Sequence, residues 1–316
     1  MHRKKHCVKI IGMKTRIKIY WIKLVSFIGT LLSMFVYNFH KRIPGVKTIK
    51  NVKYKNENPS RFNKFNIHFR EQDQTSKAKK PIIIYFHGGG WTCYSKDIFT
   101  TLNRRMADMG YVVFSCNYGL SPKYKLDNIM DDAFAAINKA REMAGLYGGD
   151  KDSVILAGDS AGAHISAMVT ALANNGDARA KNIREKIKAL VLFYGVFDLE
   201  TALTSRFSRI KEYISSATRN EQVSEAGVDE LKKFSPVNYD LVDFPPCFLA
   251  SGEVDKLHAS QSLVFSKLLH KNKVKQKTVF FDNKEYRAMH AFMIIDGIST
   301  NVKVLSELEK FLAENV

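Results

Sequence analysis

Residues 82–91 read IIIYFHGGGW. A β-branched and aromatic run stops at His87, and Gly88, Gly89 and Gly90 follow with no side chain among them. Consecutive glycines after a buried strand either make a plain turn or bring backbone N–H groups close to something that needs them. A second stretch further along the chain decides between the two.

Residues 154–164 read VILAGDSAGAH. Gly158-Asp159-Ser160-Ala161-Gly162 matches G-x-S-x-G, with an apolar strand pattern before it and an alanine-rich helical pattern after it. A serine on a tight strand-to-helix turn has a strained backbone, so the residues two away on either side must lack bulk. The turn lifts Oγ clear of the sheet, and the helix N-terminus behind it favours negative charge. Attack of such a hydroxyl on a carbonyl creates an oxyanion, which needs preorganised N–H donors about 2.7–3.1 Å away. Glycine permits that approach. The triple glycine is therefore read as an oxyanion hole made by Gly89 and Gly90, with Gly88 assisting, and completed by the N–H of Ala161. His87 is read as a brace for the loop.

Ser160 needs a base and the base an orienting carboxylate, in the chain order Ser, acid, His that accompanies this elbow. The histidines after Ser160 are His164, His258, His270 and His290. His164 is too close in the chain to complete that order, and His258 and His270 fall on a helix expected at 257–271. His290 follows the last expected strand and precedes the last expected helix, so it is the base. Asp255, in LASGEVDKL just beyond a strand end, is the acid, with Glu253 as the alternative. The site expected is thus Ser160, Asp255 and His290.

Together these residues resemble the hormone-sensitive-lipase-like branch of the α/β-hydrolase superfamily. The resemblance rests on His87-Gly88-Gly89-Gly90-Trp91, Gly158-Asp159-Ser160-Ala161-Gly162, Gly252-Glu253-Val254-Asp255 and His290-Ala291-Phe292. Asn117-Tyr118-Gly119-Leu120-Ser121-Pro122, Tyr147-Gly148-Gly149-Asp150 and Phe244-Pro245-Pro246 extend it over about residues 65–315. It implies carboxylester hydrolysis through an acyl-serine, with a small-molecule ester as substrate and no metal or organic cofactor. Trp91 makes the loop HGGxW, which is also similar to arylformamidase and prenylcysteine-methylesterase relatives. Where the family often has a further glycine, Thr92-Cys93-Tyr94-Ser95 stands here. Acyl and alcohol specificity are left open, and amide or formamide hydrolysis is the alternative. A non-catalytic small-molecule receptor is a third reading, disfavoured because no triad position is lost.

The rest of the chain fits an α/β fold with a mostly parallel central sheet flanked by helices. Strands are expected at Phe65–Phe69, Ile82–Phe86, Val112–Cys116, Ser153–Ala157, Ala189–Phe193, Cys247–Ser251 and Lys277–Phe281. Several are solid apolar blocks, as suits a sheet covered on both faces. Helices are expected at 97–109, 126–145, 161–174, 257–271 and 299–314. Residues 196–246 hold no strong strand and a short helical pattern near 206–216; an excursion of that length reads as a helical cap over the carboxyl ends of the strands.

The 316-residue chain carries a formal net charge of +18, but 14 of its 49 Lys/Arg and none of its 31 Asp/Glu lie in residues 1–56. The remainder is close to balanced, which argues against nucleic-acid binding by the globular body. Ile19–Phe39 is mainly apolar and about 20 residues long, with Tyr20, Trp21, Tyr37 and Phe39 towards its ends. It is expected to be a transmembrane signal-anchor following a basic segment at 1–18, giving membrane association and a single-pass localisation. Eight basic residues before its core against six after it favour an N-terminus inside. An arylacetamide-deacetylase-like arrangement, anchor before hydrolase domain at 40–316, is what the resemblance implies. Cys7, Cys93, Cys116 and Cys247 are widely spaced, without a zinc pattern, and read as buried thiols. Asn58-Pro59-Ser60 is blocked as a glycosylation acceptor by its proline.

Overall fold

The computed structural model describes residues 41–55, 60–218 and 225–316, together with Ile17, Tyr20, Trp21 and Leu24. Eight strands form one sheet: β1 (Val46–Lys53), β2 (Lys64–Arg70), β3 (Lys80–Phe86), β4 (Val112–Cys116), β5 (Gly149–Asp159), β6 (Ile187–Phe193), β7 (Cys247–Gly252) and β8 (Gln276–Phe281). Their order is β1-β2-β4-β3-β5-β6-β7-β8. β1 and β2 pair antiparallel to each other, β2 pairs antiparallel to β4, and every later pairing is parallel.

The solid apolar strands have the physical cause expected of them. In β3, Ile82, Ile84 and Phe86 enter one buried cluster while Ile83 and Tyr85 enter another; in β5, Val154 and Leu156 oppose Ile155 and Ala157 in the same way. Alternate side chains point to opposite faces, so a strand buried on both must be apolar throughout. One face is covered by helices α2 (Leu126–Met143), α3 (Ala161–Asn174) and α7 (Ser262–Lys271), the other by α1 (Thr100–Asp108) and α8 (Ser299–Asn315).

Between β6 and β7 the chain is helical, with α4 (Leu199–Ala202), α5 (Ile210–Ala217) and α6 (Glu225–Lys233). Val196, Phe197, Leu199, Ile210, Ile214, Leu231 and Phe234 are buried in the same core as α3 and α7, so this insertion is packed down on the body.

The expected secondary structure needs correction at two places. β1 was not expected: its burial pattern is mostly exposed and Lys47, Lys50 and Lys53 stand in it, so no apolar signal marks this edge strand. The helix expected at 257–271 starts only at Ser262, because Asp255, His258 and Gln261 are tied into successive turns. His258 therefore lies in a turn, its Nδ1 2.7 Å from Ser251 Oγ.

The membrane expectation is also corrected. No helix among the described residues is long and apolar enough to cross a membrane. Apart from Tyr20, Trp21 and Leu24, which are exposed helical positions, the segment 19–39 on which that expectation rested lies outside the described residues. Neither a transmembrane helix nor a membrane localisation is carried forward. Cys93, Cys116 and Cys247 are buried and in no disulfide among the described residues, and Cys7 lies outside the described residues.

Candidate active site

Four strand ends converge on one point. β3 leads into the glycine loop, β5 into Ser160, β7 into Asp255, and β8 into the segment carrying His290. Ser160 itself has φ 50° and ψ −117°, the strained elbow that throws its side chain out of the sheet. A Cβ on Gly162 would stand 1.9 Å from Phe86 O, and one on Gly158 would stand 2.4 Å from Gly162 C. Both glycines of the motif are thus imposed by the close crossing of β3, β5 and α3, independently of any chemistry.

The structure brings Ser160, His290 and Asp255 into one chain of hydrogen bonds. His290 Nε2 lies 2.8 Å from Ser160 Oγ, and His290 Nδ1 lies 2.7 Å from Asp255 Oδ2. The Asp255 side chain is 1% exposed, and its second oxygen accepts from Leu257 N–H at 3.0 Å. Glu253, the alternative acid, instead receives the exposed Asn283 N–H at 3.1 Å. The His290 ring packs against two aromatic rings, Tyr194 at 5.0 Å and Phe207 at 4.6 Å between centroids. Phe207 belongs to the helical insertion, so a pocket residue also fixes the imidazole.

The glycine loop is divided in its behaviour. Gly89 (φ 116°) and Gly90 (φ 56°) take backbone conformations that L-residues avoid. Their N–H groups, and that of Ala161, carry no hydrogen bond among the described residues. Both glycines and Ala161 line a pocket of about 130 Å³ with Ser160 and His290. Gly88 departs from its expected assisting role: its N–H donates to Asp159 Oδ1 at 2.8 Å. Of the four amides expected to form the oxyanion hole, those of Gly89, Gly90 and Ala161 are thus the ones without an acceptor among the described residues.

His87 braces the loop as expected. Its Nδ1 donates to Gly88 O, its ring stacks on Tyr118 at 4.5 Å, and Tyr118 Oη donates to its carbonyl. Burial drives its pKa down to about 4, so the ring is neutral near pH 7.

Sequence reasoning missed Asp159. Its carboxylate accepts from Tyr85 Oη and Gly88 N–H, both at 2.8 Å, and so pins the start of the glycine loop to β3 and β5. Burial raises its pKa from 3.8 to about 7, with these two donors and the nearby His290 pulling the other way. The only signal in sequence was its place beside Ser160. The folded carboxyl holds its proton more tightly than the unfolded one, so this group contributes a loss of stability as pH rises from about 4 to about 7 and a plateau above. Asp159→Asn keeps an acceptor for Gly88 and cannot ionise. Relative to wild type it is expected to gain on the order of 2–4 kcal/mol between pH 4 and pH 8, read by urea unfolding at both; an unchanged difference would reject the buried-acid assignment.

A profile of the α/β-hydrolase fold family matches residues 83–294, which include both glycine motifs, Asp255 and His290. The chain belongs to the α/β-hydrolase fold family. The resemblance drawn from its motifs holds at that level. Among curated relatives, this α/β-hydrolase chain is 31% identical over 205 residues to esterase LipQ of Mycobacterium tuberculosis, covering 64% of this chain and 48% of LipQ. It is 32% identical over 135 residues to kynurenine formamidase of Danio rerio, covering 42% of each. The chain spans about half the length of these curated relatives. Esterase B from Lactobacillus rhamnosis superposes with a TM-score of 0.75 over 94% of this chain and 96% of that one, at 20% identity, which speaks to the fold.

Proposed function

We propose that this chain is a serine carboxylesterase acting on small or lipophilic esters through an acyl-serine intermediate. One observation carries the reading: Asp255, His290 and Ser160 are hydrogen-bonded in series at 2.7 and 2.8 Å, beside three amides without an internal acceptor among the described residues.

Asp255 accepts the Nδ1 proton of His290, leaving Nε2 free to take the Ser160 proton as Oγ attacks the acyl carbonyl. The negative oxygen is received by the amides of Gly89, Gly90 and Ala161, with the α3 N-terminus adding its positive end. Protonated His290 returns its proton to the departing alcohol, and water, activated by the same ring, releases the acid. Residues 40–316 act as one hydrolase domain, and the helical insertion within 196–246 acts as its cap. Phe207, Ile210 and Tyr213 wall the pocket from that insertion. About 130 Å³ is below the roughly 300–1,000 Å³ of sites for drug-sized ligands and suits a short acyl group.

Formamide hydrolysis is the second reading, favoured by Trp91 and by the similarity to a kynurenine formamidase. A panel of p-nitrophenyl acetate, butyrate and decanoate beside N-formylkynurenine separates the two, with fluorophosphonate labelling to mark an active serine. Highest kcat/KM on acetate or butyrate is expected. Turnover of the formamide above every ester would install the second reading, and an unlabelled, inert protein would remove both.

A further inference from the structure

Trp91 and His164 are absent from the mechanism above, yet both are buried against it: Trp91 is 1% exposed and His164 0%. Trp91 directly follows Gly90. Its Nε1–H donates to His164 Nδ1 at 3.2 Å. His164 lies in the first turn of α3, its N–H bonded to Ser160 O. Its Nε2 donates to Phe234 O at 2.7 Å, just past the end of α6 in the helical insertion. One imidazole thus bonds three elements: the glycine loop, the helix behind the nucleophile, and the insertion. Trp91 also packs edge-on against the His164 ring, centroids 5.1 Å apart.

The pattern is directional. Nδ1 must accept and Nε2 must donate, which only one neutral tautomer does. Burial favours neutrality, lowering the His164 pKa to about 4. A second contact joins the insertion to the loop independently: a Cβ on Gly90 would stand 2.6 Å from the Tyr213 ring, so Tyr213 lies directly on the Gly90 backbone. The loop carrying two proposed oxyanion donors is therefore met by the insertion at two adjacent residues, Gly90 directly and Trp91 through His164.

We propose that His164 is a positioning residue that couples the seating of the helical insertion to the alignment of the Gly89–Gly90 amides. The inference rests on the esterase reading of Ser160. When Phe234 draws Nε2 into place, Nδ1 faces Trp91, and Trp91 holds the adjacent Gly90 amide toward the oxyanion position. The coupling acts on the transition state, because the oxyanion exists only there.

Two substitutions cut the bridge at different ends. In His164→Asn the amide oxygen reaches the place of Nδ1 but nothing reaches Phe234; in His164→Gln the amide nitrogen reaches Phe234 but Trp91 loses its acceptor. Trp91→Phe removes the donor and keeps an aromatic ring. With wild-type turnover of p-nitrophenyl acetate and its fluorophosphonate labelling measured first, each single variant is expected to lose about 10- to 100-fold in kcat, the scale of a displaced oxyanion donor, with KM within about 2-fold. Trp91→Phe combined with His164→Gln should lose no more than the worse single variant, since both delete one bond. Additive losses, or full kcat with only a lowered Tm, would overturn the coupling. Should the His164 variants fail to fold, Trp91→Phe decides alone by its kcat. An inert, unlabelled wild type would overturn the esterase reading instead.

Discussion

Replacing Ser160 by alanine is expected to lower kcat on a short-chain p-nitrophenyl ester by about 10⁴- to 10⁶-fold, the range seen when a serine nucleophile is deleted. His290 Nε2 is spaced for the Ser160 proton, and without Oγ no covalent intermediate forms. What remains is water attack assisted by the amides of Gly89, Gly90 and Ala161, which accounts for residual turnover above the uncatalysed rate. The fold should survive. The side chain contributes one hydrogen bond, and alanine at φ 50° carries backbone strain similar to that of serine. The variant should keep a Tm within a few degrees of wild type, lose fluorophosphonate labelling completely, and produce no initial burst of p-nitrophenol. Substantial turnover in a folded Ser160→Ala protein would remove Ser160 from the mechanism.

Asp255→Asn is expected to cost about 10³- to 10⁴-fold in kcat at neutral pH, and the reason is a tautomer. The Asp255 oxygens have two fixed duties, one accepting from Leu257 N–H and the other facing His290 Nδ1. With the asparagine oxygen kept on Leu257, its NH₂ faces Nδ1, which must then accept. The ring proton moves to Nε2, opposite Ser160 Oγ, and the base can no longer take the serine proton. Overall geometry changes little, so KM should stay within a few-fold. Glu253→Gln is the matched control and should leave kcat within about 2-fold, because the hydrogen bond its carboxylate makes among the described residues is to an exposed backbone N–H, and surface contacts of that kind contribute little. A large loss in Glu253→Gln with a mild one in Asp255→Asn would exchange the roles of the two carboxylates.

Much of the site was legible because its constraints are local. The elbow needs glycine at 158 and 162 since β3, β5 and α3 cross too closely for a Cβ, and that need is written within five residues. The helix over 161–174 and the strand over 112–116 were placed to the residue, one by its alanine-rich run and the other by its short β-rich run. His290 and Asp255 followed from their places after strand ends. β1 escaped because an edge strand with lysines has no apolar signature, and the turns holding His258 escaped because helical periodicity runs through them unbroken.

The chain by itself determined the candidate site residues and the order in which they occur, since strand hydrophobicity, elbow sterics and glycine's freedom are short-range properties. Tertiary structure alone decided the occupancy of individual hydrogen-bonding groups. Gly88 has its N–H taken by Asp159, while Gly89 and Gly90 do not; Asp159 is a buried acid; and His164 bridges Trp91 and Phe234 across 73 and 70 residues of chain. Each donor can satisfy few acceptors, and which acceptor lies within 3 Å is set by how distant segments pack, a quantity that local sequence does not contain.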